Sequence, residues 1–222
     1  MDKQTIEKIR TELFTAVIGD ALDAMGYRHQ FLPAGVAPLQ QGTRIVGRAM
    51  TVLEADYPKG DGNGPLADKP FGLMFEALDD LKPGEIYITS GASLNFALWG
   101  GLMSTRAQHL SAAGAILDGY VRDTDEIRNL NFPVFSRGAY AQDQGVRGKV
   151  IDYRVPLTIG KVSINDGDLI VADDEGVLVV PKAAEAKAIE DAFEKVATEN
   201  LVAKAIRDGM SSQEAFERFG VM

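Results

Sequence analysis

The sequence of 222 residues contains no cysteine. That absence excludes disulfides, thiolate nucleophiles, iron–sulfur clusters and zinc sites built on sulfur, and it leaves the redox compartment open. Histidine is scarce as well. His29 and His109 are the only two, too few for a three-histidine zinc site and a poor basis for a histidine-dependent triad. No stretch approaches the roughly 18 apolar residues of a membrane span, and Met1-Asp2-Lys3-Gln4-Thr5 opens a polar helix with no apolar signal core, so a cytoplasmic location is expected. Gly60, Gly62 and Gly64 have the wrong spacing for a dinucleotide fingerprint. Positive charge is also short: 23 Lys+Arg against 32 Asp+Glu give a net charge of −9. Neither nucleic acid nor an anionic membrane is expected as a partner, although a local cationic site is compatible with that balance. Chemistry is left to carboxylates, Arg, Lys, hydroxyls and backbone amides.

What is present reads as one α/β domain spanning 1–222, with no repeat and no linker. Ile6, Ile9, Leu13, Val17 and Ala21 recur at helical spacing, and Gly26 stands where such a helix would stop. Residues 44–55 form an apolar β-run whose Gly47 suits a close backbone approach. Residues 56–69 lose all periodicity and read as a long mobile loop that covers or feeds a site. A helix is expected over 70–81, then a strand over 85–89, a helix over 102–113 opened by Gly100-Gly101, and a strand over 114–117. Strands are also expected at 133–135, 150–153, 169–172 and 177–180. The chain then enters a long charged helix after Pro181 and a last short helix capped by Ser211-Ser212-Gln213-Glu214.

The most informative stretch is 99–127. A glycine-opened helix start offers unpaired amides to an anion, so Gly100, Gly101, Leu102 and Met103 could cradle a carboxylate. Arg122 supplies a planar fork for a second carboxylate or an enolate oxygen, and Asp123 a hard oxygen donor for Mg or Mn. The same Arg-Asp pair also reads as a helix cap or a surface ion pair. Arg106, one turn into the helix, is either a binder of a distal substrate carboxylate or a solvated arginine. His29 reads as a loop residue and His109 as structural. Asp20 and Asp23 are metal-shell acids or solvated helix residues. Lys59, Lys69, Lys82, Lys149, Lys161 and Lys182 fall in turns or at element ends, which disfavours a desolvated Schiff-base lysine.

Gly101, Arg122, Asp123 and Glu126 fit a pattern of glycine, twenty residues, Arg-Asp, two residues and an acid. With the stretches 15–22, 47–52, 133–138 and 165–181, the chain resembles the RraA-like family, which includes class II 4-hydroxy-4-methyl-2-oxoglutarate/4-carboxy-4-hydroxy-2-oxoadipate aldolases. The resemblance implies an α/β/β/α sandwich of the swivelling (phosphohistidine-like) type, assembled as a homotrimer or hexamer with sites between subunits. It implies that Arg122 holds the oxo and enolate oxygen, that Asp123 binds the divalent cation, and that Glu126 stands around it; Glu199 either reaches a neighbouring subunit's metal waters, as a similarly placed acid does in these aldolases, or is a plain surface glutamate, the reading preferred for it. The activity implied is cleavage of a 4-hydroxy-2-oxo acid to pyruvate and a second carbonyl compound. Because loss of carbon dioxide from oxaloacetate forms the same enolate, decarboxylation is expected too. The alternative within the family is a non-catalytic regulator that binds a ribonuclease; the acid at 126 favours the enzyme branch. A quinone methyltransferase role finds no glycine-rich cofactor loop after the first strand.

Overall fold

A computed structural model describes residues 2–57 and 66–220. The elements run α1 (Lys3–Glu12), α2 (Thr15–Ala24), β1 (Ala37–Pro38), β2 (Ile45–Asp56), α3 (Met74–Asp79), β3 (Glu85–Ser90), β4 (Ala97–Trp99), α4 (Gly101–His109), β5 (Gly114–Leu117), β6 (Tyr120–Val121), α5 (Thr124–Leu130) and β7 (Val134–Ser136). They continue with β8 (Gly148–Tyr153), β9 (Leu157–Ile159), β10 (Val162–Ile164), β11 (Leu169–Asp173), β12 (Gly176–Val180), α6 (Glu185–Arg207) and α7 (Ser212–Phe219).

Long β-branched runs buried on both faces set the architecture. β2 is the hub: it pairs parallel with β3 and antiparallel with β11 along its first half, and antiparallel with β8 along its second, with a register shift at Leu53/Glu54. The main sheet runs β1-β7-β5-β3-β2-β11-β12. It nearly closes, because residues 30–32 hydrogen-bond β12 through Leu32 N–H to Val177 O and Val179 N–H to Gln30 O, while β1 joins β7. Alternation then sorts the side chains. Ile45, Ala49, Ile86, Ile88, Ile116 and Ile170 point inward with the β9–β10 hairpin residues Leu157, Ile159, Val162 and Ile164. The opposite face carries Met50, Val52, Tyr87, Ala115 and Leu117 under α3, α4 and α5, and Val46, Leu169, Val171 and Leu178 under α1, α2 and α6. In section this is helices, sheet, sheet, helices, with the 23-residue α6 as the long C-terminal helix.

Gly47 behaves as its sequence context suggests: an added Cβ would stand 2.5 Å from Gly84 O. Gly26 takes φ +90° directly after α2, and the Ser211–Glu214 capping box forms. Other expectations are trimmed. The helix expected over 70–81 is confined to Met74–Asp79, and the one expected over 102–113 ends at His109. The short β1, β4, β6, β9 and β10 have no counterpart in the sequence reading, since two or three residues are too few to show a period. Of the loop expected over 56–69, Asp56 belongs to β2, and residues 58–65, with Gly60, Gly62 and Gly64, lie outside the described residues. Among the described residues, no helix is long and apolar enough to cross a membrane.

Candidate active site

The parallel pair β4–β6 builds the site. Its register sets Trp99 beside Val121, and Arg122 N–H donates to Trp99 O at 3.0 Å. Residues 100–101 therefore lie against residues 122–123, just past the carboxyl end of β5, the position where parallel strands usually present ligands. Trp99 fixes the frame. It is buried, its indole N–H donates to Ser104 Oγ at 2.7 Å, and its ring stacks on Phe132 at 6.2 Å.

At this junction Asp123 adopts φ 56°, ψ 39°, a left-handed conformation uncommon for a residue with a side chain and typical of sites where the surroundings enforce it. The turn directs its carboxylate back onto α4: Asp123 Oδ2 accepts from Gly101 N–H at 3.0 Å. At both opening positions glycine leaves room for a carboxylate. A Cβ on Gly100 would stand 2.7 Å from Asp123 Oδ2, and one on Gly101 would fall 2.1 Å from Glu126 Oε2. The Glu126 carboxylate thus fills the space a side chain at 101 would occupy, and two acids, Asp123 and Glu126, converge on one glycine. The second and third helix residues, Leu102 and Met103, have no carbonyl one turn behind them, so their amides are available to an anion.

Arg122 faces this helix start. Its Nη1 lies 2.9 Å from Asp143 Oδ1 and its Nε 3.7 Å from Asp123 Oδ2. These groups line a cavity of about 420 Å³ together with Phe71, Met74, Phe75, Leu78 and Met103. Arg106 lines it too, with its Nε 2.8 Å from Asp79 Oδ1. The structure therefore brings Gly100, Gly101, Leu102, Met103, Arg106, Arg122, Asp123 and Glu126 together.

Other candidates lie elsewhere. Glu199 sits on α6, 3.8 Å from Lys195 Nζ, and Lys195 also pairs with Asp20 at 2.5 Å; none of these lines the cavity of the same chain. Asp23 and His29 are exposed. His109, expected to be structural, is exposed at the end of α4. Lys149 is a correction: it lies inside β8 and is buried, with its ammonium on Leu66 O and 4.3 Å from the Tyr57 ring centroid. It does not line the cavity.

Three residues escaped the sequence reading. Asp143 carries the counter-charge of Arg122. Its neighbour Gln144 also lines the cavity and donates from Nε2 to Glu54 Oε2 at 2.7 Å. Glu54 is 1 % exposed, and burial raises its carboxyl to about 8. The one available sequence signal was an acid inside the apolar run of β2. Beside it, burial and the Glu54 charge hold the Tyr87 phenol well above its ordinary range.

For a divalent cation the donor set is small. Among the described residues no three His, Cys, Asp or Glu side chains converge. Two carboxylates at a helix start do fit an Mg-type ion, which keeps several waters and takes one or two protein carboxylates.

An Arg-Asp turn thus faces a glycine-opened helix, with an acid standing over the second glycine, at the strand ends of an α/β sheet. The RraA-like family model, described as Aldolase/RraA, matches residues 15–179. The chain belongs to that family. It is 32% identical over 206 residues to the protein DlpA of Legionella pneumophila, covering 92% of this chain and 32% of DlpA, so it spans about a third of that relative's length. It is 30% identical over 152 residues to the 4-hydroxy-4-methyl-2-oxoglutarate aldolase of Thermus thermophilus, covering 60% of this chain and 92% of the relative. A crystal structure of an uncharacterized protein from Pseudomonas syringae superposes with TM-score 0.83 at 30% identity, covering 97% of this chain and 93% of that one.

Proposed function

We propose that this protein is a class II pyruvate aldolase that cleaves a 4-hydroxy-2-oxo acid to pyruvate and a second carbonyl compound, using Mg or Mn. The observation that carries the reading is the convergence of Asp123 and Glu126 on Gly101, beside a cavity of small-molecule size that Arg122 and Asp123 line. The substrate carboxylate takes the free amides of Leu102 and Met103, and the Arg122 guanidinium meets the 2-oxo oxygen. As the 4-hydroxyl gives its proton to solvent, the C3–C4 bond breaks, the 4-carbon leaves as a carbonyl, and the electron pair of that bond moves through C2 onto the 2-oxo oxygen as an enolate. Protonation at C3 then gives pyruvate. Arg122 favours this course because its donors meet charge that appears only as the bond breaks. Asp123, with Glu126 beside it, would hold a divalent cation, which would supply further positive charge to stabilise the enolate. Oxaloacetate would lose carbon dioxide through the same enolate.

A homotrimer or hexamer with sites between subunits, in which a neighbour's α6 supplies Glu199, belongs to the same proposal. The test is pyruvate release from 4-hydroxy-2-oxo acids and from oxaloacetate, with Mg, with Mn and after chelation. Release that chelation stops and metal restores is the expected result. Failure of every substrate to yield pyruvate in the presence of metal would overturn the reading.

A further inference from the structure

Arg122 is partly exposed, and a long side chain left to itself spreads over many rotamers. Two carboxylates meet its guanidinium, Asp143 Oδ1 at 2.9 Å from Nη1 and Asp123 Oδ2 at 3.7 Å from Nε. Because the group is planar and rigid, fixing Nη1 and Nε also fixes the direction of the remaining donors. The Asp143 carboxylate is itself held. Its Oδ2 accepts from Gly145 N–H at 2.8 Å, and Arg147 Nη1 donates to Asp143 O at 2.9 Å.

The next residue ties this strap to the core. Gln144 is buried and donates from Nε2 to the buried Glu54 of β2 at 2.7 Å. Its carbonyl accepts from Arg147 N–H at 2.7 Å and Gly148 N–H at 3.0 Å, at the start of β8. One residue earlier, Gln142 O accepts at 2.8 Å from the N–H of Ala97, the first residue of the strand that leads into Gly100-Gly101. An ion pair between two free surface side chains contributes little, since both must be ordered. Here one partner is ordered already by the segment beneath it.

We infer that Asp143 is a positioning residue for Arg122, and that Gln144, bonded to Glu54, holds Asp143 in place. This rests on the aldolase reading and deepens it. The strap keeps the Arg122 donors aimed where enolate charge appears, so the loss on releasing it falls on kcat more than on KM.

The experiment is a double-mutant cycle of Asp143→Ala and Arg122→Ala in the Mg- or Mn-loaded protein. Pyruvate release is followed from 4-hydroxy-4-methyl-2-oxoglutarate and from oxaloacetate, and folding by thermal denaturation. The Arg122→Ala arms use about a hundredfold more enzyme, to match their slower release. Asp143→Ala alone is expected to lower kcat about tenfold, with KM within about twofold of the parent. In the Arg122→Ala background the same substitution is expected to change kcat by less than about twofold, because nothing is left to position. Asp143→Asn, which keeps an acceptor for Gly145 N–H and removes the charge, should lower kcat by a smaller factor. Gln144→Ala should lower it severalfold alone and add less than about twofold to Asp143→Ala. Parent-level kcat in folded Asp143→Ala and Asp143→Asn proteins, or an equal loss with and without Arg122, overturns the inference while leaving the aldolase intact. No pyruvate from the parent with either substrate overturns the aldolase reading and the inference with it.

Discussion

Glu54 is the residue whose surroundings most oppose its chemistry. An ionised carboxylate in that interior would face Gln144 Nε2 and a Thr89 hydroxyl at 3.5 Å, with no cation among its bonded partners. Its carboxyl is therefore protonated up to about pH 8. The folded state thus binds a proton that the unfolded chain releases near the ordinary value of 4.5. The stability linked to this proton is full below about pH 4.5 and declines as pH rises to about 8. Glu54→Gln keeps an acceptor for Gln144 and removes the titration. Thermal unfolding of the variant and the parent is expected to nearly coincide at pH 5. At pH 8 the variant should be more stable, by on the order of a few kcal/mol. Parallel melting curves for the two proteins across that range would contradict the assignment.

At the scale of elements, the site is a joint between α4 and α5 clamped by the β4–β6 ladder. The candidate residues were legible because they lie within one continuous stretch: a glycine pair that frees amides, and an Arg-Asp pair that supplies charge. Their arrangement was less so. β4 is three residues and β6 two, below the length at which alternation can be recognised, and the left-handed turn at Asp123 breaks the usual preference of a residue with a Cβ. Asp143 and Gln144 come from the segment between β7 and β8, 17 and 18 residues after Glu126 in the chain, and only the fold brings them to Arg122 and Glu54. The same joint gives a sharp prediction for Gly101→Ala. Its methyl group meets the flexible end of Glu126 and not backbone, so the helix should survive. The displaced carboxylate is expected to lower pyruvate release at least about tenfold, with unfolding shifted by no more than about 1 kcal/mol. Full activity in a folded Gly101→Ala protein would show that the position of Glu126 is immaterial.

Across the whole molecule, the nearly closed sheet follows from strands that are apolar on both faces. Ile45, Ile86, Ile116 and Ile170 fill an interior that the β9–β10 hairpin completes, and two groups of helices cover the outside. The sequence showed the strand runs and the long α6, whereas the closure through residues 30–38 rests on pairings too short to leave a pattern. One chain leaves Leu102 82 % and Phe75 57 % exposed at the mouth of the cavity, apolar surface of a kind that assembly covers. A mass in solution of three or six copies is expected, and a stable monomer by light scattering would contradict the proposed inter-subunit site.

The central claim is that Arg122 stabilises charge that appears as a carbon–carbon bond breaks. The most direct measurement is pyruvate release by the metal-loaded Arg122→Ala protein, with its folding checked by thermal denaturation. Arg122 is partly exposed and its ion pairs are those of a surface residue, so the melting temperature should stay close to that of the parent. Release should fall by about a hundredfold or more. Parent-level release from a folded Arg122→Ala protein would contradict the account.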